Sequence, residues 1–296
     1  MTEVIEDIRR AAREGFGVAW VPQLDGADAL TALAVAAQHV PEIELATAVV
    51  PAYPRHPIEL ARQALTVQAA SRGRFTLGIG ASHRHVVEGG YGFDFKRPAQ
   101  YMEEYLTVLN AIFKLGGAEF EGKRIRAKAD VVVPVTAPPI LVAALGPAML
   151  RVAGRLADGT ITNMAGPSTI ATHIIPRIKE AAAEAGRPTP RIVAAFAISV
   201  TRAAGEVRDL IDRQSEAYAA LPSYRAMLDV EGAAVPSEIA IVGDEEFVIE
   251  RISALAKIGV TDLMATIVGH HEDEIAQTRI VLGRFSQSAG RNRARS

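Results

Sequence analysis

Two histidines one residue apart, His83 and His85, with Glu88 three places on, follow an apolar run that ends in Gly78-Ile79-Gly80 within "FTLGIGASHRHVVEGGYGFDF" (75–95). Three chemistries could use such a stretch. A His-x-His pair at a strand end can hold a divalent metal for hydrolysis. A Gly-x-Gly turn can open a dinucleotide site. A polar rim carrying an imidazole can face a substrate and move a proton. The dinucleotide fingerprint needs a third glycine three places after the second, and that position is His83. A metal site needs further ligands from other strand ends, which offer Asn163 and Thr201 instead, so no metal is expected. Two solvated loop histidines, or the rim of a pocket that at least one of them lines, are the readings that remain.

Other positions could serve the same pocket. In "ALGPAML" a glycine and a proline, Gly146 and Pro147, stand between a strand-like and a helix-like run. Proline suits the first helical position, and a helix start with exposed N–H groups binds phosphate, although the pair could simply punctuate a turn. Gly80-Ala81-Ser82 makes a side-chain-poor ledge on which a ring could lie. Tyr53 and His56 in "YPRHP", and Tyr224 and Arg225 in "LPSYRAML", offer further polar groups. His56 could equally cap the helix that follows, and Arg225 could hold an anion or face water.

These residues need elements to position them. Apolar, β-branched-rich runs at 16–21, 43–50, 75–80, 140–145, 159–164, 191–200 and 261–268 read as strands buried on both faces of a parallel sheet. Amphipathic stretches at 57–71, 97–114 and 147–157 read as the helices between them. The repeated βα pattern predicts a (β/α)8 TIM-type barrel over residues 1–285, with catalysis at the C-terminal ends of its strands. Seven strands are visible and the chain opens in a helix at 3–14, so the first strand is apparently missing. Either a short strand is encoded upstream, or the barrel closes imperfectly between the strands at 16–21 and 261–268. Residues 286–296 read as a polar, solvated tail.

Composition excludes several classes. Of the 296 residues 49% are hydrophobic, enough for a large core, and a net charge of −2 gives no footprint for nucleic acid or an anionic membrane. The absence of cysteine excludes disulfides, thiolate metal sites and cysteine nucleophiles. With neither a signal peptide nor a run of roughly 18 apolar residues, a cytoplasmic protein is expected.

The stretch "LGIGASHRHVVEGGYGFDFKRPAQYMEEYL" resembles the luciferase-like monooxygenase superfamily, and within it the branch of oxidoreductases dependent on the deazaflavin coenzyme F420. "TAVVPAYPRHPIELARQALTVQAASRGRFTLGIG", "ILVAALGPAMLRVAGRLADGTIT", "LPSYRAMLDVEG" and "IVGDEEFV" carry it across residues 5 to 285. The resemblance implies a (β/α)8 barrel with insertions and a deazaflavin across its C-terminal mouth. Its phosphate would lie at Ala144, Leu145, Gly146 and Pro147, and its ring on Ala81 and Ser82. A non-prolyl cis peptide would fall within Thr47, Ala48 and Val49. Some dehydrogenases of the branch carry an acid and a histidine where this chain has Gln23 and Leu24. The proton must then come from elsewhere, and His83, Tyr53 and Tyr224 are the catalytic candidates, with His85 beside them. The implied reaction is hydride transfer between F420 and a small organic substrate, by an expected homodimer. The alternatives are an FMN-dependent monooxygenase, a metal-dependent barrel hydrolase and a non-catalytic ligand-binding barrel.

Overall fold

The computed structural model describes residues 1–293. The chain runs α1 (Thr2–Glu14), β1 (Val18–Val21), α2 (Ala29–His39), β2 (Glu44–Thr47), β3 (Val50–Pro51), α3 (Pro57–Ala70) and β4 (Phe75–Gly80). A π-helical turn at 85–90 leads to α4 (Pro98–Leu115), then to an antiparallel hairpin of β5 (Gly117–Glu121) and β6 (Arg126–Asp130). Next come β7 (Ile140–Ala143), α5 (Pro147–Leu156), β8 (Gly159–Thr162), α6 (Pro167–Thr169) and α7 (Ile175–Glu184). The last third holds β9 (Arg191–Val200), α8 (Ala204–Ala219), α9 (Pro222–Glu231) and β10 (Ile241–Gly243). It ends in α10 (Glu245–Lys257), β11 (Asp262–Ile267) and α11 (Glu272–Arg293).

The main sheet is parallel and curls into an open barrel in the order β1-β2-β4-β7-β8-β9, with helices outside it. β9 is long enough to pair with β11 along Val193–Ile198 and with β10 along Ile198–Val200. All six residues of β4 and all four of β8 are buried, as expected for strands covered on both faces. Inside the barrel Leu141, Ile161 and Val193 pack with Trp20, Ala48, Val49 and Met264. The larger core lies between sheet and helices, where Leu33, Leu60, Tyr105 and Leu106 are fully buried.

The seven predicted strand runs correspond to β1, β2, β4, β7, β8, β9 and β11. Among the described residues no ladder joins β1 to β11, so the barrel wall is open at the place the sequence marks. The hairpin β5–β6 and the short β10 are additions to the predicted pattern. The last helix also runs through Arg293, well into the stretch read as a polar tail, because no proline or cap stops it at residue 285. Residues 294–296 of that stretch lie outside the described residues.

Candidate active site

The barrel mouth is shaped by an interruption in one ladder. β2 pairs with β4 through Leu45–Phe75 and Ala46–Thr76, and pairing resumes in β3 through Val50–Ile79. Between them the Thr47 Oγ1 hydroxyl donates to the Gly78 carbonyl and accepts from the Gly78 N–H, both at 2.8 Å. This side chain replaces the missing ladder bonds. It works only opposite glycine, because a Cβ on residue 78 would stand 1.9 Å from the Thr47 carbonyl oxygen. The chain bulges as a result, and Ala48 and Val49, joined by a cis peptide bond, turn to the mouth. The resemblance implied such a bond within these three residues. Thr47 itself is buried below and does not line the cleft.

Beside the bulge, Gly80, Ala81 and Ser82 line the cleft at the place where the sequence suggested a ledge. A Cβ on Gly80 would meet Val49 at 2.9 Å and Ala143 at 3.2 Å, so the glycine lets three strand ends close up. Ser82 follows at φ 62°, and Met164 after β8 at φ 54°. Non-glycine residues at positive φ are uncommon and concentrate at functional sites. Here both stand at strand ends beside the mouth.

At the end of β7, Leu145 and Gly146 line the cleft, whereas Ala144 is buried and Pro147 is exposed and does not line it. Gly146 is the N-cap of α5, with Pro147 in the first turn and no side chain capping the free N–H groups. A Cβ built on Gly146 finds no atom within 4 Å, so the space above this helix start is open. His173, which the sequence did not single out, donates from Nε2 to the Leu145 carbonyl at 2.9 Å and fixes the turn. These features fit a phosphate group, because backbone N–H groups and the helix dipole favour an anion there.

The structure brings His83 and Tyr224 together. Their rings meet edge to face with centroids 5.2 Å apart, and the His85 ring lies nearly parallel to that of His83 at 6.0 Å. The Tyr224 hydroxyl is hydrogen-bonded to the side chain of Asn163, which enters from the end of β8. Burial raises the Tyr224 pKa, and the Asn163 bond opposes that rise. Burial, and then the neighbouring His85, push the His83 imidazole below its usual value. At neutral pH His83 is therefore mainly uncharged and able to accept a proton.

Tyr53 lies elsewhere. It is 5% exposed, stacks on Tyr101 at 4.2 Å and packs against Phe95, and it does not line the cleft. Its hydroxyl has no hydrogen-bond partner among the described residues. His56 caps α3, accepting the Ile58 N–H at Nδ1. Arg225 closes its own loop by donating to Asp229 and to the carbonyls of Ala233 and Ala234. Glu88, the third member of the His-x-His stretch, is paired with Arg84 at 2.6 Å. Among the described residues no group of three or more His, Cys, Asp or Glu side chains could hold a metal.

The cleft these residues surround has a volume of about 2560 Å³, against roughly 300–1,000 Å³ for an ordinary ligand pocket. The excess comes from the open wall. Val18–Val21 and Asp262–Ile267 all border the cleft, and consecutive residues of a strand can do so only along its unpaired edge. The single tryptophan, Trp20, lies on this edge.

A parallel barrel whose mouth combines a bulged strand end, a glycine-bordered ledge and an open helix start agrees with the comparisons to known proteins. The family model for luciferase-like monooxygenase matches residues 1–262. The chain belongs to the luciferase-like monooxygenase family. A 5,10-methylenetetrahydromethanopterin reductase of Methanopyrus kandleri is 29% identical over 214 residues, 66% of this chain and 61% of that protein. The solved structure of a coenzyme F420 dependent tetrahydromethanopterin reductase from the same organism matches with a TM-score of 0.75. It is 22% identical and covers 96% of this chain and 94% of that one. The FMN complex of the oxygenating constituent of 3,6-diketocamphane monooxygenase from Pseudomonas putida also has a TM-score of 0.75. Its identity is 18%, over 96% of this chain and 91% of that one. The family relatives thus include F420-dependent oxidoreductases and FMN-dependent monooxygenases, and the likeness in structure shows the (β/α) barrel fold.

Proposed function

We propose that this protein is an F420-dependent oxidoreductase that transfers a hydride between the deazaflavin and a small organic substrate. The observation that carries this reading is the division of the mouth. Backbone and small residues, Gly80 to Ser82 with Ala48 and Val49, make one wall, and the open start of α5 makes another. Among the described residues one half-buried titratable pair, His83 with Tyr224, faces the space between them. Such a mouth is poor in acids and bases of its own, which suits chemistry supplied by a cofactor.

A bound deazaflavin supplies the hydride donor or acceptor at its C5 atom. Ala81 and Ser82, with Ala48 and Val49 beside them, would support its ring, and Leu145 and Gly146 would hold its phosphate. His83, mainly uncharged at neutral pH, accepts the proton of a substrate hydroxyl as the alcohol becomes a carbonyl. In the reverse direction its imidazolium returns that proton to the carbonyl oxygen. Tyr224, tied to Asn163, orients the His83 ring and can donate to the same oxygen. Leu24, Leu221 and Pro222 line the rim around this step.

Because Trp20 is the single tryptophan and borders the cleft, its emission reports occupancy. Titration of the purified protein with F420, and separately with FMN, should show saturable quenching by F420 at micromolar concentration. Tight binding of FMN with none of F420 would assign the ledge to a flavin monooxygenase instead.

A further inference from the structure

The turn that opens α5 is held from outside the cleft. His173 does not line the cleft, yet its Nε2 reaches the Leu145 carbonyl at 2.9 Å. A carbonyl oxygen only accepts, so Nε2 carries the proton and the bond does not depend on the charge of the ring. The histidine sits in a π-helical turn, Ile170–Ile174. Such turns are rare and recur at functional sites. Ile170 and Ile174 are fully buried and anchor this one, while His173 is half-buried beside the Leu145 carbonyl. Arg177 fastens it further by donating to the His173 carbonyl at 2.8 Å.

The His173 bond fixes a peptide plane. Among the described residues the one cis peptide joins Ala48 to Val49, so Leu145 and Gly146 are joined in trans. In a trans peptide the carbonyl and the following N–H point in opposite directions. With the Leu145 oxygen turned to His173, the Gly146 N–H is turned away from it, to the side where Gly146 borders the cleft. Among the described residues none accepts that N–H in a hydrogen bond. Pro147 has no N–H to offer, so Gly146 supplies the first donor of the helix start.

Glycine makes this orientation easy to lose. Rotation of the peptide costs little beside a residue without Cβ. The rotated plane would aim the Leu145 oxygen at the cleft, where an anion would meet a lone pair in place of a donor. We propose that His173 is a positioning residue for the coenzyme phosphate: by holding the Leu145 carbonyl, it keeps the Gly146 N–H aimed at that group. This rests on the reading of the α5 start as the phosphate site. Preference for the phosphorylated coenzyme is then set by a side chain that never touches it.

Trp20 emission, titrated with F420 and with the phosphate-free deazaflavin that keeps its ribityl chain, tests the proposal. The parent should bind F420 at least about tenfold more tightly than the phosphate-free compound. His173→Leu should weaken F420 alone and bring the two affinities within about threefold of each other. His173→Gln, whose amide can donate to the same carbonyl, should keep F420 within about threefold of the parent. Equal weakening of both ligands, no weakening in His173→Leu, or a loss in His173→Gln as large as in His173→Leu would each overturn the inference. The Gly146 amide gives a check that needs no variant. In proton–nitrogen correlation spectra of the parent it should move downfield with F420 and stay in place with the phosphate-free compound. An amide that ignores F420 is aimed elsewhere, and the role of His173 falls. A parent with equal affinity for the two ligands would instead take the phosphate away from α5, and the underlying reading of the site would fail.

Discussion

The His83 ring stands edge-on to the Tyr224 ring, with centroids 5.2 Å apart and planes at 63°. One comes from the loop after β4 and the other from α9, so the pair ties the ledge of the mouth to the insertion above it. Asn163 holds the Tyr224 hydroxyl from a third strand end. Three distant segments thus fix the orientation of one imidazole.

Replacing that imidazole tests its role. Loss of a general acid or base lowers rate by roughly 10²–10⁴-fold. His83→Ala should lower turnover within this range while the coenzyme dissociation constant stays within about twofold, because ring and phosphate rest on backbone and small residues. Turnover within about threefold of the parent would reduce His83 to a wall, and Tyr224 would be tested next.

The half-buried position of His83 also makes stability depend on pH. Burial, with a smaller part from His85, holds the folded-state pKa below the ordinary 6.5. As pH falls, the unfolded chain takes up this proton before the folded protein does. The stabilisation is complete above the ordinary value and is lost as pH drops through it towards the lower folded value. Between about pH 7.5 and about pH 5.5 the melting temperature of the parent should fall further than that of His83→Gln. Equal falls would show that His83 is not desolvated.

Gly146 separates binding from folding. A Cβ there meets nothing within 4 Å, and its φ of −75° suits any residue. Gly146→Val should melt within a few degrees of the parent, since the fold gains no clash. In the phosphate site the added methyls obstruct close approach to the helix start, so coenzyme affinity should fall by at least about tenfold. Unchanged affinity in a fluorescence titration would move the phosphate elsewhere.

Tyr53 offers a contrast. Its hydroxyl is buried without a partner among the described residues, and an unsatisfied buried polar group costs about 1–3 kcal/mol. Tyr53→Phe should keep the stacking on Tyr101, leave turnover within about twofold and match or exceed the parent's melting temperature. A large loss of kcat would return Tyr53 to the catalytic candidates.

The contrast between Tyr53 and Tyr224 shows what the sequence could and could not reveal. Strands such as "FTLGIG" were legible because an apolar run buried on both faces carries its own signature. Gly146-Pro147 was legible because turn chemistry is local. The hairpin of "GAEFE" and "RAKAD" was not, since both strands are polar and partly exposed. "YPRHP" sits at a strand end like other site residues, yet Tyr53 is drawn into the core by Tyr101 and Phe95, which lie far along the chain. Asn163 looked like a poor metal ligand, and only the fold brings it to Tyr224. His173 gave no signal beyond being a lone histidine in a helical stretch.

The open wall between β1 and β11 makes the barrel a clip rather than a ring. Its two lips share no ladder among the described residues, and α1 and α11 hold them at their set spacing. Gly283 allows that helix contact, since a Cβ there would stand 2.1 Å from the Glu14 carbonyl oxygen, and Arg279 fastens it to the Glu14 side chain. The spacing of the two lips thus rests on packing between helices and not on the hydrogen bonds of the sheet.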